Sequence, residues 1–167
     1  VKPIFITKIC NNKGNVLATF NTTQEEVMDE FSAYKTVRLM QGVVNSGTAI
    51  RLNYRYKLNM PMAGKTGTTD NNSDGWFMGY TPMLTAGAWV GCEDRAAHFR
   101  ATAEGQGANS ALPVWALFMK KCYEDASLNL EKIDFQMPEG ENVDPTLFNC
   151  KEINNAINAS QQQFNFE

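Results

Sequence analysis

Ala63-Gly64-Lys65-Thr66-Gly67-Thr68-Thr69 is followed by Asp70-Asn71-Asn72-Ser73, by Asp74-Gly75-Trp76-Phe77-Met78-Gly79-Tyr80, and, past Thr81-Pro82, by a run ending Ala88-Trp89-Val90-Gly91. The two links are turn chemistry, because Asn and Asp bond their own backbone and Pro presets a bend. The runs between them, roughly 62–69, 74–80 and 84–92, therefore predict an antiparallel meander of three strands. Downstream, 100–109 is small, polar and Gly-rich and reads as a loop. Ser110 is then placed to cap a helix with Leu112, Trp115, Phe118, Met119 and Cys122 on one face, and Lys120 and Lys121 suit the negative end of its dipole. Upstream, Val27, Phe31, Tyr34, Val37, Met40, Val43 and Val44 recur at three- and four-residue steps, which predicts a core-facing helix ending at Gly47. Thr22 or Thr23, each with a Glu three residues on, offers a start for it. Before that, 4–10 and 15–20 joined by Asn11-Asn12-Lys13-Gly14 predict a hairpin. The order hairpin, helix, three strands, helix gives an α+β layer fold, an antiparallel sheet covered by helices.

With 167 residues, 43% hydrophobic and 20% charged, the chain can bury one core. The 15 Lys+Arg against 18 Asp+Glu, with no long like-charge run, supply no footprint for nucleic acid or an anionic membrane, so the partners predicted are small or peptidic. No apolar stretch approaches the ~18 to 20 residues of a membrane span. Cys10, Cys92, Cys122 and Cys150 are far apart without C-x-x-C, and His98 is the single histidine, so the spacing predicts no metal site or cofactor and reads the thiols as free or buried. Beyond Ser127 the apolar residues thin and Asn and Gln accumulate, which divides a folded portion, 1–127, from a loosely structured C-terminal extension, 128–167. Val1-Lys2-Pro3 carries neither an initiator Met nor a signal-peptide pattern and reads as the start of a piece of a longer protein.

The chemistry concentrates at Gly64-Lys65-Thr66-Gly67-Thr68. A phosphate-cradling loop would need a glycine where Asn59 stands and a helix beginning at Lys65-Thr66, whereas Gly67 and Asp70 to Gly75 cannot propagate one. On a strand beside a cleft the same residues make different sense. The Lys65 ammonium supplies positive potential to a substrate carboxylate and to a neighbouring hydroxyl, and a Thr hydroxyl donates to that carboxylate. Gly67 keeps the strand edge clear for an extended peptide, and an amide of the strand can face a developing oxyanion.

Gln41-Gly42-Val43-Val44-Asn45-Ser46-Gly47-Thr48-Ala49, the K-T-G segment, Asp74 to Pro82, and Ala88-Trp89-Val90-Gly91 together resemble the C-terminal half of the transpeptidase domain of class A penicillin-binding proteins. Gly105 to Met119 is similar to that domain's last helix and the loop before it. The resemblance implies a partial penicillin-binding/β-lactamase-like transpeptidase fold and a periplasm-facing enzyme, anchored at the inner membrane outside this chain. That enzyme cross-links peptidoglycan stem peptides and is acylated by β-lactams. It implies that Lys65 assists proton transfer and attracts the carboxylate, that Thr66 and Thr68 bind the carboxylate, and that Gly67 leaves room for the peptide. The Thr68 N–H becomes an oxyanion donor, and Trp76 is structural or lines the rear of the cleft. The family also needs S-x-x-K and S-x-N upstream of K-T-G. Ser32-Ala33-Tyr34-Lys35 and Ser127-Leu128-Asn129 match those patterns in the wrong places and read as decoys, the first on the helix before K-T-G and the second downstream of it. The fragment alone is then expected to be inactive, and to self-associate through faces that the missing N-terminal half of the domain would cover. Rival readings are a non-catalytic peptidoglycan-binding or sensor module of the same fold and a β-lactamase-like hydrolase.

Overall fold

The computed structural model describes residues 3–23 and 25–139, so most of the predicted extension, with Cys150, lies outside the described residues. The chain forms two units, Val1–Glu30 and Phe31–Glu167. The first holds the predicted hairpin in shorter form, β1 (Lys8–Cys10) antiparallel to β2 (Val16–Thr19). Its turn is closed by Asn11, whose Oδ1 accepts from the Lys13 and Asn15 amides, both at 2.9 Å, and by Gly14 at φ +83°.

The second unit is the predicted meander with helices against it. Strands β3 (Ala63–Thr68), β4 (Asp74–Tyr80) and β5 (Thr85–Gly91) pair antiparallel in that order, with Gly67 opposite Trp76, Thr66 opposite Phe77 and Phe77 opposite Ala88. Opposed residues share a face, so Phe77 and Ala88 lie on one face, and Trp76, Met78 and Trp89 on the other. The first face is covered by α4 (Ala111–Glu124), which buries Ala111, Leu112, Trp115, Ala116 and Met119, one stripe at helical spacing. The Trp115 ring meets Phe77 edge-on at 5.1 Å, and its indole N–H donates to the Ala86 carbonyl at 3.0 Å. Val44, Leu52, Leu58 and Met62 complete this core.

Several details differ from the sequence expectation. Phe118 stands half exposed on the solvent side of α4, and Cys122 is only partly buried. Ser110 precedes α4, but its hydroxyl donates back to the Gly105 and Gln106 carbonyls instead of capping. The chain is already turning there: the Ser110 amide reaches Gln106 O and the Leu112 amide reaches Gly107 O, so the helix start needs no side-chain acceptor. Helix α1 spans Glu30–Asn45, and neither Thr22 nor Thr23 starts it. Its buried residues, Gln41 and Val44, lie at its C-terminal end, and propensity without packing does not carry a helix further back. A short α2 (Arg51–Tyr54) follows between α1 and β3, and α3 (Thr102–Gly105) forms inside the expected loop. Past α4, Asp134 accepts from Gln41 Nε2 and Phe135 sets its ring edge-on to Tyr80.

Candidate active site

Strand β3 is an edge strand: β4 covers one side, and no strand among the described residues covers the other. One bond fixes which backbone groups look outward. The Thr69 amide donates to Asp74 O at 3.1 Å, across to β4, so by alternation the main-chain groups of Thr68 and Thr66 open on the uncovered edge. In keeping with this, Lys65 Nζ folds over to donate to the Thr66 carbonyl at 3.0 Å, which brings the ammonium to the same edge. The side chains reach that edge from two faces rather than lining a single one. Thr66 and Thr68 share the face of Phe77, and Lys65 and Gly67 the face of Trp76 and Met78. Lys65 and Thr68 are exposed, while Thr66 and Gly67 are partly covered. The phosphate-loop alternative is excluded at the same point, since Lys65 and Thr66 lie on a strand and not at a helix start.

Both threonine hydroxyls are held from behind. Thr66 Oγ1 lies 3.2 Å from Thr48 Oγ1, in the link between α1 and α2, and Thr68 Oγ1 accepts from the Gly107 amide at 3.0 Å. Sequence reasoning did not pick out Thr48 or Gly107. The signal available was the glycine pair in Gly105-Gln106-Gly107, which marks a backbone brought close to something else.

The turn leaving β3 is pinned by Asp74, which accepts from Trp89 Nε1 at 3.0 Å, Ser73 Oγ at 3.1 Å and Thr69 Oγ1 at 3.2 Å, with Arg95 Nε 3.7 Å away. The indole hydrogen bond foremost, then the two hydroxyls and Arg95, hold its carboxyl below the usual carboxylate range against a partial desolvation. Trp76, on the following strand, packs at 6.2 Å and a tilt of 36° against Trp89 and is 44% exposed, so it belongs to the open face of the sheet.

The two serine patterns make contacts of their own. Lys35 places its ammonium 4.1 Å over the Phe31 ring. Ser127 donates its hydroxyl to Asp125 Oδ1 at 2.6 Å inside the 3-10 turn after α4, and Asn129 closes that turn in the left-handed region. His98 is exposed and lines an open hollow of about 350 Å³ beside β5 with Ser73, Val90 and Cys92. Among the described residues no group of three His, Cys, Asp or Glu could hold a metal ion, and no helix is long and apolar enough to cross a membrane.

An antiparallel sheet layered with helices, with Lys-Thr-Gly-Thr on its uncovered edge, agrees with the fold expected of a penicillin-binding transpeptidase domain. The family model described as penicillin binding protein transpeptidase domain matches residues 1–94, and the chain belongs to that family. It is 37% identical over 119 residues to Penicillin-binding protein 1A of Aquifex aeolicus, covering 71% of this chain and 16% of that one. To the protein of the same name from Clostridium novyi it is 31% identical over 140 residues, 83% of this chain and 15% of the other. The crystal structure of Penicillin-Binding Protein 1A from Haemophilus influenzae superposes with a TM-score of 0.60 over 84% of this chain and 25% of that one, at 19% identity, which shows the shared fold. The chain thus spans about one sixth of the length of these curated relatives.

Proposed function

We propose that this chain supplies the K-T-G strand of a serine D,D-transpeptidase that cross-links peptidoglycan stem peptides and is acylated by β-lactams. The observation that supports the reading is the open edge of β3, onto which the Thr66 and Thr68 main-chain groups open and over which the Lys65 ammonium folds. In it, Thr66 and Thr68 donate to the substrate carboxylate and Lys65 supplies positive potential there and to the reacting hydroxyls. Gly67 leaves room for an extended peptide to pair with the strand. The Thr68 N–H receives the oxyanion. A serine elsewhere in a longer transpeptidase attacks the carbonyl carbon, its proton passes to the leaving nitrogen as the C–N bond breaks, and an ester remains. Such an enzyme works on the periplasmic side of the inner membrane, where its substrate is.

Thr68→Val in the intact transpeptidase tests this, because valine keeps the shape and removes the donor. Loss of a hydrogen bond to a charged group, about 1.5 to 3 kcal/mol, predicts that the second-order rate of acylation by benzylpenicillin falls by about ten- to a hundredfold. Unchanged acylation kinetics would refute the assignment.

A further inference from the structure

A threonine hydroxyl has one hydrogen to give and two lone pairs. In Thr68 one lone pair is taken by the Gly107 amide at 3.0 Å. That contact sets the side-chain rotamer and leaves the O–H as the group able to turn toward a ligand at the edge. The amide reaches Thr68 only because residue 107 is glycine, since a Cβ there would collide with the Gly67 and Trp76 carbonyl oxygens. Behind the loop, Arg51 Nη1 donates to the Ala108 carbonyl at 3.0 Å and to Asn109 Oδ1, tying it to α2. These contacts form one continuous path from Arg51 through the 107–109 backbone to the Thr68 hydroxyl.

We infer that Gly107, backed by Arg51, is a positioning residue that aims the Thr68 hydroxyl at the carboxylate of the acyl donor. The inference rests on the function proposed above and adds to it two residues that touch neither substrate nor serine. It makes the loop before α4 part of carboxylate selectivity rather than a mere connection.

The test compares acylation of the intact transpeptidase by benzylpenicillin and by its methyl ester, which lacks the anion that Thr68 would bind. Thr68→Ala should lower the acid-over-ester preference about tenfold, as expected for one hydrogen bond to a charged group. Gly107→Ala should lower the same preference about fivefold on its own and not at all in the Thr68→Ala background, because coupled residues are not additive. Arg51→Gln should act in the same sense and Arg51→Lys less. It is the variant that decides if Gly107→Ala does not fold. Equal loss with acid and ester, or an unchanged preference in Gly107→Ala or Arg51→Gln while Thr68→Ala lowers it, overturns the positioning role alone. An unchanged preference in Thr68→Ala overturns the site reading beneath it.

Discussion

Asp74 shows how a single carboxylate can lock the end of an edge strand. It gathers an indole N–H, two hydroxyls and Arg95 around the β3–β4 turn, and the Asp74 amide in turn donates to Thr69 Oγ1 at 2.9 Å. Since these contacts, led by the Trp89 hydrogen bond, lower its pKa in the folded state, the folded protein binds fewer protons than the unfolded chain in the acid range. Its contribution is therefore present above the ordinary carboxylate pKa and is lost as pH falls through the depressed folded value. Asp74→Asn should be less stable than the parent in urea at pH 6, and the two midpoints should draw together as the pH falls below the ordinary carboxylate range. A gap that stays constant from pH 6 to pH 3 would show that the charge of Asp74 has no part in it.

At the scale of elements, the seam between α4 and the sheet carries the core. Trp115 is buried, stacks edge-on against Phe77 and donates to Ala86, and its ring lies so close over β4 that a Cβ at Gly79 would sit 2.7 Å from it. Trp115→Ala should cost about 3 to 5 kcal/mol, the range for removing a large buried aromatic. Equilibrium unfolding by intrinsic fluorescence and far-UV circular dichroism reads it, and a change below about 1 kcal/mol would mean that the seam is not the core. Much of this element was legible in sequence. Its buried stripe at Leu112, Trp115 and Met119 follows from local periodicity and its place after a Gly-rich loop from composition, whereas the side-chain cap expected of Ser110 at its start is not made. Phe118 was misplaced because periodicity names neighbouring faces almost equally well, and only the sheet beneath decides which one is covered.

At the scale of the whole molecule, the sheet face opposite α4 is exposed among the described residues at Trp76, by 44%, and at Met78 and Trp89, each by 46%, while Tyr80 at its end meets Phe135. Apolar surface of this kind seeks a partner. The 167-residue polypeptide should therefore self-associate and bind a hydrophobic dye, and sedimentation as a monomer without dye binding would count against this. The same polypeptide should leave a fluorescent penicillin unreacted. The Lys35 ammonium rests on Phe31, and the Ser127 hydroxyl is engaged by Asp125. A nucleophile needs a base beside it and a place within reach of the acyl carbon. A labelled band that vanishes in Ser32→Ala would overturn this.

By itself the sequence determined the local matters: the three-strand meander, the two main helices, and the K-T-G segment as a strand rather than a phosphate loop. These follow from turn residues and periodicities that act over a few positions. The tertiary structure decided which edge of β3 stays uncovered, that Lys65 reaches it from one face and Thr66 and Thr68 from the other, and that Thr48 and Gly107 stand behind the two hydroxyls. Those contacts join residues 18 and 39 positions apart, and such pairings are set by how the sheet and helices pack, which no short window of sequence encodes.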